Sequence, residues 1–215
     1  MTASNKSFAV FSAVMAAAIG LSIVLVDLPV AVFFHGIGDS LLVQIAGTTT
    51  DGGLAVWYLV GAAVLFLLFR FVLRRRQDAM MAAFVFAAVA LSGIVADILK
   101  FVFGRPRPKL LFRDDIFQFH WFKFGHDWNS FPSGHSTTVA TVALALCLIA
   151  PRWKFVVIPF GAALIATRVI TTAHFVSDTL FSTYLGLTIT FWVHHHFRRR
   201  GLLPAKPVSH HGETS

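Results

Sequence analysis

Six stretches of this 215-residue chain are apolar for long enough to cross a lipid bilayer as helices, and this constrains its fold more than any other feature. A bilayer core takes about 20 residues of helix, and within it every backbone N–H and C=O must find its partner inside the segment. The stretches run from Phe8 to Phe34, Leu54 to Leu73, Ala79 to Phe103, Pro132 to Ala150, Phe155 to Thr172 and Ser177 to Phe197, with polar breaks between them. Hydrophobic residues make up 56% of the chain, only 13% is charged, and the mean hydropathy is +0.73, so an ordinary water-soluble domain is excluded. The expected fold is all-α: a polytopic membrane protein built as a six-transmembrane-helix bundle. One domain is expected over residues 1–203, followed by a polar, disordered cytoplasmic tail over 204–215. The first stretch is longer than the roughly 7 to 15 apolar residues of a signal-peptide core and has no convincing cleavage site, so it is expected to remain as an anchor.

The basic residues set the orientation. Lys6, Arg74 to Arg76, Arg152 with Lys154, and Arg198 to Arg200 with Lys206 all fall on one side of a six-span layout, which makes that side cytoplasmic. This distribution explains the formal charge of +8 without nucleic acid, which is excluded as a partner. The expected location is the inner (plasma) membrane, multi-pass, with both termini cytoplasmic. The other side holds the loop from His35 to Gly53, the long loop from Gly104 to Phe131, and the turn near His174. That long loop breaks the charge rule, because Arg105, Arg107, Lys109, Arg113 and Lys123 all lie in it. Cys147 is the sole cysteine, so no intrachain disulfide can form.

Three clusters fall on this outer side. The first, KFVFGRPRP from Lys100 to Pro108, reads either as interfacial anchoring, with Asp97 pairing Lys100, or as a stiff, proline-held oxyanion clamp carrying Arg105 and Arg107. The second, PSGH from Pro132 to His135, is helix-start grammar, and a helix start also favours anions. The third, RVITTAHFVSD from Arg168 to Asp178, spaces His174 and Asp178 at i, i+4. If the last helix begins just before His174, Asp178 can accept the imidazole N–H and leave the other ring nitrogen free to attack. Ionisable groups at bilayer depth are costly, and all three clusters reach one membrane face. Together they supply cations for phosphoryl oxygens, a nucleophile and an acid for a leaving oxygen. No acidic pair suited to Mg²⁺ accompanies them, so cationic side chains are expected to take the place of a metal, and no metal or cofactor is assigned.

The combined pattern resembles the type-2 phosphatidic acid phosphatase superfamily, which also contains the vanadium haloperoxidases. The family pattern is K-x6-R-P, P-S-G-H and S-R-x5-H-x3-D. It is met by Lys100 with Arg107-Pro108, by Pro132 to His135, and by Arg168, His174 and Asp178. One position departs from it: Thr167 stands where the family usually has serine, and it keeps the hydroxyl. The resemblance implies that His174 is a nucleophile forming a phosphohistidine and that Asp178 orients and polarises it. It implies that His135 protonates the leaving oxygen and then activates water, while Lys100, Arg107, Ser133, Gly134 and Arg168 hold the phosphoryl oxygens. Arg105 falls outside the pattern and is at most a substrate contact.

The resemblance further implies a lipid phosphate substrate held at the bilayer: undecaprenyl diphosphate, phosphatidylglycerophosphate, phosphatidic acid or a lipid A phosphate. Its aromatic loop residues, Phe112, Phe117, Phe119, Trp121, Phe122, Phe124, Trp128 and Phe131, either dip into the interface or pack the loop onto the bundle. His120 and His126 read as solvated loop residues, and Asp114 and Asp115 either repel a second phosphate or balance Arg113. His194 to His196 are interfacial, since consecutive helical residues point about 100° apart and make no metal site. Transfer to an acceptor lipid would use the same residues. A transporter would spread its charges over several depths, and vanadate-dependent peroxidases of the family are soluble, so both are disfavoured.

Overall fold

The computed structural model describes residues 3–123 and 125–203, and every regular element in it is helical. All six apolar stretches are helical. The first forms α1 (Ala3–Leu21) and α2 (Asp27–Gly36), joined without a break by a π-helical turn, Ser22–Val26. The others form α4 (Ala55–Leu67) with its own π turn Leu68–Val72, α5 (Arg76–Phe103), α7 (Gly134–Ile149), α8 (Lys154–Ile170) and α9 (Val176–Arg199). The segment expected as a loop from His35 to Gly53 instead contains α3 (Leu41–Thr49), capped by Ser40, and a 3₁₀ turn, Thr50–Gly53. A short α6, Pro108–Asp114, interrupts the long loop; Pro108 suits its first turn, where an N–H would lack an acceptor.

Four helical stretches are long and apolar enough to cross a membrane: Lys6–Gly36, Leu41–Val72, Arg76–Asp114 and Pro151–Ile170. Large apolar side chains such as Val24, Trp57, Phe71, Ile94 and Phe155 stand exposed along them, the surface of a protein whose solvent is lipid. Helix α7 is shorter than a typical span, and α9 is long enough but carries serines, threonines and three histidines. The expected tail, with Lys206, and Phe124 in the aromatic loop lie outside the described residues.

Helix α7 is the centre, packed against α5, α8 and α9. Ser136 to Val142 are buried without interruption, and their hydroxyls are satisfied locally: Thr137 Oγ1 donates to the Ser133 carbonyl at 2.9 Å and Thr141 Oγ1 to Ser92 Oγ at 3.1 Å. Gly186 lets α9 approach closely, since a Cβ there would lie 2.7 Å from the Thr137 carbonyl oxygen. At its C-terminal end α5 stops at Gly104, in the left-handed region with φ 51°, where a Cβ would collide with the His120 carbonyl. This stop turns Arg105 to Pro108 back over the ends of α7 and α9.

Candidate active site

The residues that start and end these helices converge at one end of the bundle. Ser133 caps α7: its Oγ accepts from the Ser136 N–H at 3.4 Å and from Ser136 Oγ at 3.0 Å. The first amides of α7, including that of Gly134, have no intrahelical acceptor and face the positive end of the helix dipole. Lys100, at the end of α5, reaches this helix start. Its Nζ lies 3.0 Å from the position a Cβ on Gly134 would occupy, so a larger residue there would press on the ammonium. The same Nζ bonds Asp97 Oδ1 at 2.7 Å, the pairing expected from their spacing.

Arg107 and Arg168 supply the other charges. Arg107 is held by its backbone, whose N–H donates to the Asp127 carbonyl at 2.8 Å, and Arg168 sits in the last turn of α8 and donates through Nη1 to Thr50 Oγ1. Among the described residues neither guanidinium is salt-bridged, and both Nε atoms are buried without a partner. One buried and one half-buried cation with unused donors make a site built for an anion that brings its own acceptors. His135, in the first turn of α7, interacts electrostatically with Arg168, His174, Arg107 and Lys100. Gly53 lies against its ring, because a Cβ there would come within 3.1 Å of both Cβ and Cδ2 of His135.

His174 is 3% exposed and sits in the turn between α8 and α9, which folds back so that the Ala173 and His174 N–H groups both reach the Arg168 carbonyl, at 3.1 and 3.0 Å. Here the structure corrects the expected pairing. The Nδ1 atom lies 2.8 Å from the Ser130 carbonyl oxygen and 3.7 Å from Asp178 Oδ2, so the backbone, not the carboxylate, takes the imidazole N–H. The reason is that Asp178 is occupied elsewhere: Oδ2 accepts from Ser130 Oγ at 2.6 Å and from the Phe175 N–H at 2.8 Å, and Oδ1 accepts from Arg105 at 2.5 Å. Nε2 of His174 makes no hydrogen bond among the described residues. Burial lowers the His174 pKa to about 4; Asp178 opposes this shift, and Arg107 and Arg168 add to it. The ring is neutral near pH 7.

A second correction concerns Arg105, which was expected at most to touch substrate. Its side chain is fully buried behind Asp178, with Nη1 bonding Ser177 Oγ at 2.6 Å and Nη2 bonding Asp27 Oδ2 at 2.7 Å. The rings of Phe175, Phe119 and Phe117 surround the guanidinium, with centroids 4.4, 4.9 and 5.7 Å away. The aromatic loop therefore divides: Phe117, Phe119 and Phe131 pack inward, while Trp121 and Phe122 are both 61% exposed. Arg113 takes Asp114 as its partner, at 2.8 Å. Asp27, Thr50, Gly53 and Ser130 join the site although no sequence motif marks them. Asp27 did carry a signal, as the sole charged residue between Phe8 and Phe34.

The sequence profile of the PAP2 superfamily matches residues 81–202, a range that includes every motif residue described above and excludes Asp27, Thr50 and Gly53. Lipid A 1-phosphatase of Rhizobium johnstonii is 36% identical over 121 residues, 56% of this chain and 50% of the relative. Lipid A 1-phosphatase of Rhizobium etli is 38% identical over 104 residues, 48% of this chain and 45% of the relative. The chain thus matches about half the length of these curated relatives. No solved structure matches it. A profile covering more than half of the chain, together with these relatives, shows that the protein belongs to the PAP2 superfamily.

Proposed function

We propose that the protein is a membrane lipid phosphatase that removes a phosphate from a lipid A-type substrate through a phosphohistidine on His174. The observation that carries this reading is the pair of guanidiniums of Arg107, half-buried, and Arg168, buried, whose Nε atoms are unpartnered beside a histidine whose Nε2 is free. In the first step the Nε2 lone pair attacks phosphorus as the P–O bond to the lipid breaks. His135 delivers its proton to the departing oxygen. Lys100, Arg107, Arg168 and the first amides of α7 stabilise the phosphoryl oxygens, with Ser133 shaping that helix start. In the second step His135, now neutral, takes a proton from water as the water oxygen attacks phosphorus. The N–P bond breaks, inorganic phosphate leaves, and His174 returns to its neutral form.

Several features support a six-span bundle over residues 1–203. Helix α7 is sheltered by its neighbours, and α9 answers its own hydroxyls, Ser182 Oγ bonding the Asp178 carbonyl at 2.6 Å and Thr190 Oγ1 the Gly186 carbonyl at 2.7 Å. The clusters at Arg74 to Arg76, Arg152 with Lys154, and Arg198 to Arg200 then mark the cytoplasmic face, and the site opens on the periplasmic one. The relatives' names favour lipid A among the candidate lipids.

The test is phosphate release by purified protein in detergent from lipid A, undecaprenyl diphosphate, phosphatidylglycerophosphate and phosphatidic acid, with chelator present. Lipid A should be turned over fastest, with inhibition by vanadate, and His174→Ala should abolish turnover. Preference for another of the four lipids would replace the substrate assignment, and phosphate appearing on an added acceptor lipid would make the enzyme a transferase. A wild-type protein inactive on all four would remove the reading.

A further inference from the structure

Beside His174, reached through Asp178, lies a closed cluster of three ionic side chains. Arg105 is shared between Asp27 and Asp178, at 2.7 and 2.5 Å, and all three are at most 1% exposed. A buried guanidinium is neutralised by one carboxylate, and burying a second is costly. The cluster nevertheless has two, and donors surround both carboxylates. Asp27 Oδ1 accepts from the Ser177 N–H at 2.9 Å and from Ser22 Oγ at 3.1 Å, and Oδ2 accepts from Ser177 Oγ as well as from Arg105. The π turn Ser22–Val26, placed directly before Asp27, shifts the helix register that presents it; such insertions are frequent at functional sites. Two carboxylates and one guanidinium leave one net negative charge. The charged groups facing His174 from elsewhere are Arg107 and Arg168, both cationic, and the titratable His135.

We propose that Asp27 is a positioning residue for catalysis, whose charge, relayed through Arg105, leaves the Asp178 side of His174 net negative and so stabilises the positive imidazole formed when Nε2 bonds to phosphorus. This rests on the phosphatase reading above. In the attack the ring keeps its Nδ1 proton, donated to the Ser130 carbonyl, and Nε2 gains phosphorus as its third bond, so the ring carries a full positive charge until the N–P bond breaks. With Asp178 and Arg105 alone the cluster would be neutral, and that charge would face only cations. Beside so deeply buried a cluster such a difference is weakly screened. Asp27 touches neither the ring nor the phosphate site, so its effect belongs to the charged transition state and not to substrate binding.

Asp27→Asn, Asp27→Glu and Ser22→Ala test this in the full-length protein in detergent, with folded protein counted by gel filtration. For each variant kcat and KM are measured on a lipid substrate, along with inhibition by vanadate, which bonds Nε2 as the transition state does, and by inorganic phosphate. Asp27→Asn should lower kcat on the order of tenfold, a loss of about 1.4 kcal/mol, and weaken vanadate by a similar factor. KM and phosphate inhibition should stay within about twofold of wild type, and Asp27→Glu should recover most of kcat. Ser22→Ala, which removes a hydrogen bond and keeps the charge, should lower Tm with vanadate inhibition unchanged. An Asp27→Asn protein with wild-type kcat and vanadate inhibition overturns the inference, as does a parallel loss of kcat, substrate and phosphate affinity. If Asp27→Asn does not fold, weakened vanadate inhibition in Ser22→Ala overturns it by the same logic. An inactive wild type would instead remove the phosphatase reading itself.

Discussion

The imidazole Nδ1 of His174 is 2.8 Å from the carbonyl oxygen of Ser130, two residues before the Pro132–His135 motif, so the approach to one motif fixes the tautomer of the histidine supplied by another. The Ser130 hydroxyl meanwhile bonds Asp178, at 2.6 Å. This separates two roles that an Asp–His pair usually combines. Ser130→Ala keeps the carbonyl and should reduce kcat less than about tenfold, as expected for one lost hydrogen bond. Asp178→Asn removes the charge and should reduce it by a hundredfold or more, on the order of what mis-set histidine partners cost elsewhere. Steady-state kinetics on both variants checks the order.

The buried, neutral His174 predicts a broad acid side to the pH profile. Its folded pKa is depressed to about 4, chiefly by burial, so the proposed nucleophile stays unprotonated well below the ordinary histidine range. Activity due to this group is present above that pKa and is lost as pH falls through it. Linkage has the same sign. Between about 6.5 and the folded pKa the unfolded chain binds the extra proton, so this residue's contribution to stability declines as pH falls below about 6.5. A kcat/KM profile from pH 4 to 8, with Tm measured alongside, checks both.

Gly53 predicts a local steric effect on the proposed acid. A methyl there would press within 3.1 Å of the His135 ring, whereas at Gly52 it would meet Leu164 at an ordinary 3.6 Å. Gly53→Ala should lower kcat about tenfold or more by displacing His135, because small misplacements of a reacting group are costly. Gly52→Ala should change kcat less than twofold, and activity assays of the pair distinguish a displaced acid from a perturbed turn.

The exposed pair Trp121 and Phe122 should act on lipid presentation, not chemistry. Replacing both with serine is expected to raise KM for a lipid phosphate in vesicles several-fold and leave turnover of a short-chain, water-soluble phosphate ester unchanged. Equal losses on both substrates would assign the two residues to the fold.

How much of this was legible in the sequence depends on the distance over which each feature acts. The helical stretches were legible because apolar length is local, and the departures arose where tertiary shelter changes the requirement, as in the short α7 and the hydroxyl-rich α9. Lys100, Arg107, His135, Arg168, His174 and Asp178 stood out through spacing. Thr50 did not, because its meaning lies in a bond to Arg168 across most of the chain. Arg105 was visible as a charge that broke the expected orientation rule, and Asp27 as a lone carboxylate in an apolar run. What no single segment reveals is that these two anomalies neutralise each other.

The most direct test of the account is to quench the enzyme during turnover of a ³²P-labelled lipid phosphate and map the label on the protein. The predicted result is an acid-labile, alkali-stable phosphoryl group on the peptide containing His174, absent in His174→Ala and formed more slowly in His135→Ala, which lacks the leaving-group acid. An active enzyme that carries no label, or carries it on another residue, would contradict the account.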